Sequence, residues 1–356
     1  MKSKKICYLI FNNSPSSVVR GTTFQDEYLK YKFKPIYFNL YSKSLTSISN
    51  FLMAGNYFLL SSLFSKINSF YILVKSRYFL LKCHNYDAII VIKYLKPFFL
   101  NKIKLKFKGK ILYDFDDAVW VNYIMGEDNF KKIISNVDYV SCDNNFLLTR
   151  AKEYNTNSFI LNGPTQIEKF KLKKKNSTNS VVLCWIGSPD TLFYLYGIYD
   201  VLEYIGARYP FVILKILGTG YDKKRLPNFE KIKTVFIPNY NESIMINELS
   251  NSDIGLFPMF NNELSKGRGL LKTTIYMSAG LPSITSRILD FSNIINESVN
   301  GFTANSNSDW IQILELLIND ETLRTNIGNN ATNFISENYN KSICFQQLHV
   351  NFLNKI

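Results

Sequence analysis

Short runs rich in Val, Ile, Phe and Tyr alternate with longer segments of helical period along almost the whole chain. That alternation is the pattern of βαβ units wound onto parallel sheets, and it fixes the class as α/β before any other property is considered. In the first half, strands are predicted at Lys5–Phe11, Pro35–Leu40, Ala88–Ile92, Lys110–Phe115, Val137–Cys142 and Ser158–Leu161. Asn162, Gly163 and Pro164 then break the pattern. Strands resume at Val181–Ile186, Val212–Leu217, Thr234–Ile237, Ile254–Phe257 and Ser283–Thr285, and helices are predicted at Ser308–Asn319, Glu321–Asn338 and Ser342–Lys355.

A chain of 356 residues is long for one core and comfortable for two. The expected layout is a Rossmann-like domain over 1–165, a linker over 166–180 and a second Rossmann-like domain over 181–340. Residues 341–356 are read as a helix that packs back toward the first domain. The linker assignment rests on Phe170–Ser180, where Lys171, Lys173, Lys174 and Lys175 stand among small polar residues without apolar period. No short internal repeat suggests a solenoid.

Apolar residues make up 46% of the chain, enough to fill two cores. Five scattered cysteines with no Cys-x-x-Cys pair point to a reducing, cytoplasmic compartment. The apolar run Ile6–Phe11 is too short for a signal-peptide core, and Ser44–Ser65 carries too many polar residues for a membrane span.

The net charge of +14 sits mainly in residues 1–170, which hold 24 Lys and Arg against 12 Asp and Glu. Two readings stand: a solvated basic surface, or attraction to anionic lipid. Lys96, Lys102, Lys104, Lys106, Lys108 and Lys110 interleave with Phe98, Phe99, Leu100, Ile103, Leu105 and Phe107, a mixture suited to a headgroup interface. No zinc-finger spacing or recognition-helix signature accompanies the charge, so nucleic acid is not expected as a partner.

Four segments are candidates for chemistry. In Trp185–Thr191, Gly187 and Ser188 follow a strand and open a helix whose free amides suit a phosphate; the same turn is also what any βα unit needs, with Asp190 satisfying the helix dipole. In Lys266–Pro282, Gly267 and Gly269 precede a helix, and Lys266, Arg268 and Lys272 crowd its entrance, an arrangement suited to a diphosphate or to a plain basic face.

The third candidate is Tyr113–Trp120, with Asp114, Asp116 and Asp117 at the carboxyl end of a strand. Mutual repulsion would raise the proton affinity of one carboxylate for acid or base work, or the group would bind a cation, or one would cap a helix. Strand alternation places Asp114 and Asp116 on one face and Asp117 on the other. Fourth, Ser16, Ser17 and Arg20 follow the first strand, where Arg20 would hold a phosphate or acceptor, or simply lie on the surface. The pair Gly218 and Gly220 reads as a turn. His84 and His349 are the only histidines, which leaves a His-based metal site or Ser-His-Asp triad unsupported.

Taken together, SDIGLFPMF, KGRGLLKTTIYMSAGLPSITS and NESVNGFTA resemble the donor half of the group 1 glycosyltransferases, the family 4-like group of GT-B fold. DFDDAVW, SPSSVVR and WIGSPDT are similar to a branch with an Asp-x-Asp-Asp-Ala segment. The resemblance implies two Rossmann-like, doubly wound parallel-sheet domains facing a cleft. It also implies retaining transfer of a sugar from a nucleoside diphosphate, usually without a metal or other cofactor. Donor binding would fall to Gly187, Ser188, Lys266, Gly267, Gly269 and Leu270, and catalysis to Asp116, Arg268 and Lys272. Ser17, Arg20 and Asp117 would lie on the acceptor side.

By charge and family habit, the acceptor would be an oligosaccharide or lipid-linked glycan met at the inner face of a membrane. The chain departs from the family at Gly267 and Ile275, where many members carry glutamates, and at Asp116, where many carry histidine. The rival readings are a non-catalytic glycan-binding or scaffold protein and, more distantly, a sugar-nucleotide epimerase.

Overall fold

The computed structural model describes residues 3–10, 15–42, 57–121, 125–165, 167–170, 180–288 and 294–356, together with 44, 45, 48 and 52; at 15–18, 58 and 223 the backbone alone is described. Two compact units emerge: residues 1–164 with 341–356, and residues 165–340.

The first unit is built on six parallel strands, β1 (Lys4–Ile10), β2 (Phe33–Asn39), β3 (Ala88–Ile92), β4 (Lys110–Phe115), β5 (Tyr139–Cys142) and β6 (Ser158–Ile160). Their spatial order is β2-β1-β3-β4-β5-β6. Register explains why the central strands read as largely apolar runs. Cys7 pairs with Ile89 and Ile89 with Ile111, facing one layer of helices, while Tyr8 pairs with Ile90 and Ile90 with Leu112, facing the other. A parallel sheet is covered on both sides, so both sets of alternate side chains must be apolar.

The carboxyl-terminal helix, Lys341–Asn351, covers one of those faces. Its Cys344, Phe345 and Leu348 share a core with Tyr8, Tyr28 and Ile90, which is why residues 341–356 belong to the first unit despite following the second in sequence. On the opposite face Phe79, from the long helix Phe58–Lys82, packs with Leu100 and Ile103 from Pro97–Lys106.

The second unit holds β7 (Val181–Ile186), β8 (Val212–Leu217), β9 (Lys233–Ile237), β10 (Ile254–Phe257), β11 (Ser283–Ser286) and β12 (Phe302–Ala304), all parallel. The order β12-β11-β10-β7-β8-β9 makes both units doubly wound. The three-residue β12 is not among the strands expected from the sequence. Helices Asn307–Asn319 and Glu321–Asn338 begin where Ser306 and Asp320 accept from the backbone N–H groups of Asp309 and Leu323. Of the expected linker, Ile167–Lys169 forms a 3₁₀ turn, while residues 166 and 171–179 lie outside the described residues.

Candidate functional site

Ligands of doubly wound sheets bind beyond the carboxyl ends of the strands, at the point where the winding reverses. In the second unit that point lies between β7 and β10. The two strands pair only through Ile254 with Leu183 and Gly255 with Cys184. Beyond those pairs, the buried hydroxyl of Tyr276 accepts from the Ile186 N–H at 2.8 Å and donates to the Leu256 carbonyl at 3.2 Å. Burial drives the phenol well above its ordinary proton affinity, so it stays neutral and serves both strands. Gly255 makes room for it, since a Cβ there would stand 2.4 Å from the Tyr276 ring.

Tyr276 belongs to the helix Leu271–Ser278, whose first turn contains no acidic residue and whose Leu270 cap makes no side-chain hydrogen bond. A helix start with no acidic residue turns the positive end of its dipole toward whatever lies beyond it. Lys272 stands in that first turn, with its ammonium 4.8 Å from the Trp185 ring centroid and 5.3 Å from that of Phe257. The short helix Glu263–Lys266 precedes it, capped by Asn262, whose side chain accepts from the Ser265 N–H at 2.9 Å. Lys266, Gly267, Arg268, Gly269 and Leu270 therefore form one compact bend between two helices. Gly267 has an ordinary backbone, at φ −82° and ψ −1°.

At the end of β7 the structure corrects the expected phosphate cradle. The Gly187 N–H donates to the Leu217 carbonyl at 2.9 Å, and the Ser188 N–H donates to Thr191 Oγ1 at 3.0 Å. These two amides are engaged by the chain itself. Ser188 and Thr191 form a reciprocal cap on a 3₁₀ helix, Pro189–Ile198. Gly187 is required by packing: a Cβ there would fall 1.9 Å from the Trp185 indole. Trp185 thus links Gly187 to Lys272. Gly218, at φ +86°, closes the neighbouring turn, where a Cβ would meet the Gly187 carbonyl at 2.1 Å.

In the first unit the winding reverses between β1 and β3. Arg20, in the helix Pro15–Thr22, is buried there rather than lying on the surface. Its Nε and Nη2 donate to the two carboxylate oxygens of Asp114, both at 2.6 Å, and its Nη1 donates to Asp143 at 2.9 Å. Ser141 donates to Asp114 at 2.5 Å, and the Gly163 N–H donates to Asp143 at 3.2 Å. The paired fork is the geometry in which guanidinium and carboxylate bind most strongly.

Lys93, just past β3, divides the remaining charge. Its ammonium lies 3.0 Å from Asp116 and also donates to Asp117. Asp116 and Asp117 thus converge on one cation instead of taking opposite faces, because β4 ends at Phe115 and strand alternation ends with it. Burial weakens the ammonium's hold on its proton, but Asp116 and then Asp117 outweigh it, and the net shift is upward. Expected repulsion among the three carboxylates is offset by Arg20 and Lys93, so the cations they gather are side chains. Lys93 holds φ +65°, an unusual backbone for a lysine, and its carbonyl accepts from the Tyr113 hydroxyl at 2.5 Å.

Sequence reading missed Lys93, Asp143, Trp185 and Tyr276. Lys93 alone gave a usable signal, as a cation directly after a wholly apolar strand. Ser17 lies in the helix Pro15–Thr22, with its backbone alone described. His349 packs against Tyr31 and Phe345. Among the described residues no group of three or more His, Cys, Asp or Glu is placed to hold a metal ion, and no helix is long and apolar enough to cross a membrane.

No protein-family model matches the sequence, and no curated protein matches it. Solved structures do match across almost the full chain. A glycosyltransferase from Rickettsia africae ESF-5 shares 15% identity at a TM-score of 0.67, covering 99% of this chain and 98% of its own. HepE from Anabaena, solved with UDP-glucose, shares 12% identity at a TM-score of 0.69, with 99% and 100% covered. The lipopolysaccharide outer core galactosyltransferase WaaB shares 15% at 0.67, again with 99% and 100% covered. The chain therefore has the GT-B fold of these proteins, two Rossmann-like units in tandem.

Proposed function

We propose that the chain is a retaining glycosyltransferase that moves a sugar from a nucleoside-diphosphate sugar to a lipid-linked or oligosaccharide acceptor of a bacterial surface glycan such as capsule or O-antigen. The observation that carries the reading is the start of helix Leu271–Ser278. There an acid-free first turn, the positive end of the helix dipole, and Lys272 stand together at the carboxyl end of the second sheet. Arg268 and Lys272 would neutralise the diphosphate as the bond to the sugar breaks. The bend Lys266–Leu270 would carry the donor, while Gly187 and Ser188 act by shaping the floor rather than through their N–H groups.

Asp116 and Asp117, held by Lys93, would face the acceptor, and Arg20 and Ser17 would belong to the same acceptor side. Similarity of fold to HepE and WaaB supports a nucleotide-sugar donor. The work would take place on the cytoplasmic side of a membrane, with no metal or cofactor beyond the donor. Incubation with a panel of nucleoside-diphosphate sugars, with and without acceptor glycans, tests this: sugar transfer is expected, and the absence of both transfer and slow donor hydrolysis with every donor would overturn it.

A non-catalytic glycan-binding reading is favoured by one feature, Gly267 and Ile275 in place of the family's glutamates. Glycan binding without donor hydrolysis would select it.

A further inference from the structure

The helix Phe58–Lys82 is apolar on the wrong side for a soluble domain. Among its described side chains, Ser61 and Phe79 are the buried ones and face inward. Leu60, Leu63, Ile67, Phe70, Val74 and Leu81 recur at spacings of three, four and seven, which stacks them in one stripe on the opposite, exposed face. Phe70 is 67% exposed and Leu81 63%. The neighbouring helix Pro97–Lys106, packed in the same layer, exposes Phe98 and Leu105 one heptad apart, at 69% and 78%. An apolar surface of this extent is rarely left to water unless something covers it.

Charge identifies the cover. Between Glu27 and Asp114 the sequence contains fifteen Lys or Arg and a single acidic residue, Asp87. Lys66, Lys75, Arg77 and Lys82 flank the apolar stripe on the first helix, and Lys102, Lys104 and Lys106 lie on the second. Lys102 lays its ammonium 4.2 Å from the Phe98 ring centroid, and Lys75 lies 5.7 Å from Phe38, the posture of long basic side chains that bury their stems and lift their charge. Two copies of this face would set like charges against each other. An anionic lipid headgroup layer meets both demands at once, taking the apolar stripe to the acyl boundary and the cations to phosphate.

We propose that helices Phe58–Lys82 and Pro97–Lys106 form a membrane-seating face, on which the protein lies flat against an anionic lipid bilayer without crossing it. The proposal deepens the transferase reading by naming the surface through which a lipid-linked acceptor is approached. It is tested without donor or acceptor, so that its failure leaves sugar transfer standing and the failure of transfer leaves it standing.

The experiment is co-flotation of the full chain with phosphatidylcholine vesicles, with and without phosphatidylglycerol. Binding is expected only to the anionic vesicles and falls as salt rises. Leu63→Glu with Phe70→Glu, both at exposed positions, is expected to weaken it by about tenfold or more. Leu316→Glu, an exposed apolar position on the second unit, should leave it unchanged. Equal binding by the double variant, equal binding to neutral vesicles, or a dimer in light scattering that the double variant dissolves would each overturn the proposal. Circular dichroism of the variant checks that the fold is kept.

Discussion

At the carboxyl ends of the first unit's strands, Arg20 and Lys93 are sunk among four carboxylates, each cation held by two of them. At the corresponding place in the second unit, Lys272 lies half-buried over the faces of Trp185 and Phe257. The same topology thus handles positive charge in two ways. A buried cation matched by carboxylates is part of the framework, since removing either partner leaves an uncompensated charge in a poorly solvated place. A cation resting on aromatic faces at a helix start lies instead where the helix dipole favours negative charge. Arg20, for which the sequence offered a phosphate or acceptor contact or a plain surface position, is instead bound to Asp114 and Asp143, while Lys272 lies over Trp185 and Phe257.

The largest expected effect follows from breaking the framework. Arg20→Met leaves Asp114 buried without its bidentate partner and should cost about 3–5 kcal/mol of stability, read by urea denaturation. A loss under about 1 kcal/mol would mean that Arg20 is not framework, and the contrast between the units would fail.

Lys93→Met should cost less, because Asp116 and Asp117 keep some access to water, with side chains 15% and 23% exposed. The loss is read by urea denaturation at neutral pH, and a loss as large as that of Arg20→Met would mean that the partial exposure of the two carboxylates does not relieve it.

Lys272→Ala should leave the melting temperature nearly unchanged but weaken nucleoside-diphosphate binding by about tenfold or more, as expected for one charge-assisted contact. Calorimetric titration measures it, and undiminished affinity would remove Lys272 from the site.

The smallest effect concerns His349, whose proton affinity is lowered by burial. A histidine that is harder to protonate when folded costs stability as pH drops below its unfolded value. His349→Gln should flatten the acid side of the melting curve slightly and leave the neutral side alone.

Much of the architecture was readable because it is local. Ala88–Ile92 and Val181–Ile186 are unbroken apolar runs, Lys110–Phe115 and Val212–Leu217 are apolar apart from Lys110, Asp114 and Lys215, and each is a strand with those bounds. The entrance of the helix at Lys272 was equally visible, as a cluster of glycine and cations within a few residues. What could not be read is who partners whom. Arg20 meets Asp114 and Asp143 across separations of 94 and 123 residues, and Tyr276 reaches Ile186 across 90. Gly187 looked like a ligand-binding glycine, and nothing in its neighbours revealed that the indole two residues earlier folds over it.

By itself, then, the sequence determined the class, the number of sheets and the positions where polar chemistry gathers, because periodicity and turn chemistry act over a few residues at a time. Tertiary structure decided which carboxylates Arg20 and Lys93 meet, because a parallel sheet brings strand ends together only after long crossovers have closed. The same carboxylates that repel as neighbours in the chain become partners of cations once β1, β3 and β4 lie side by side.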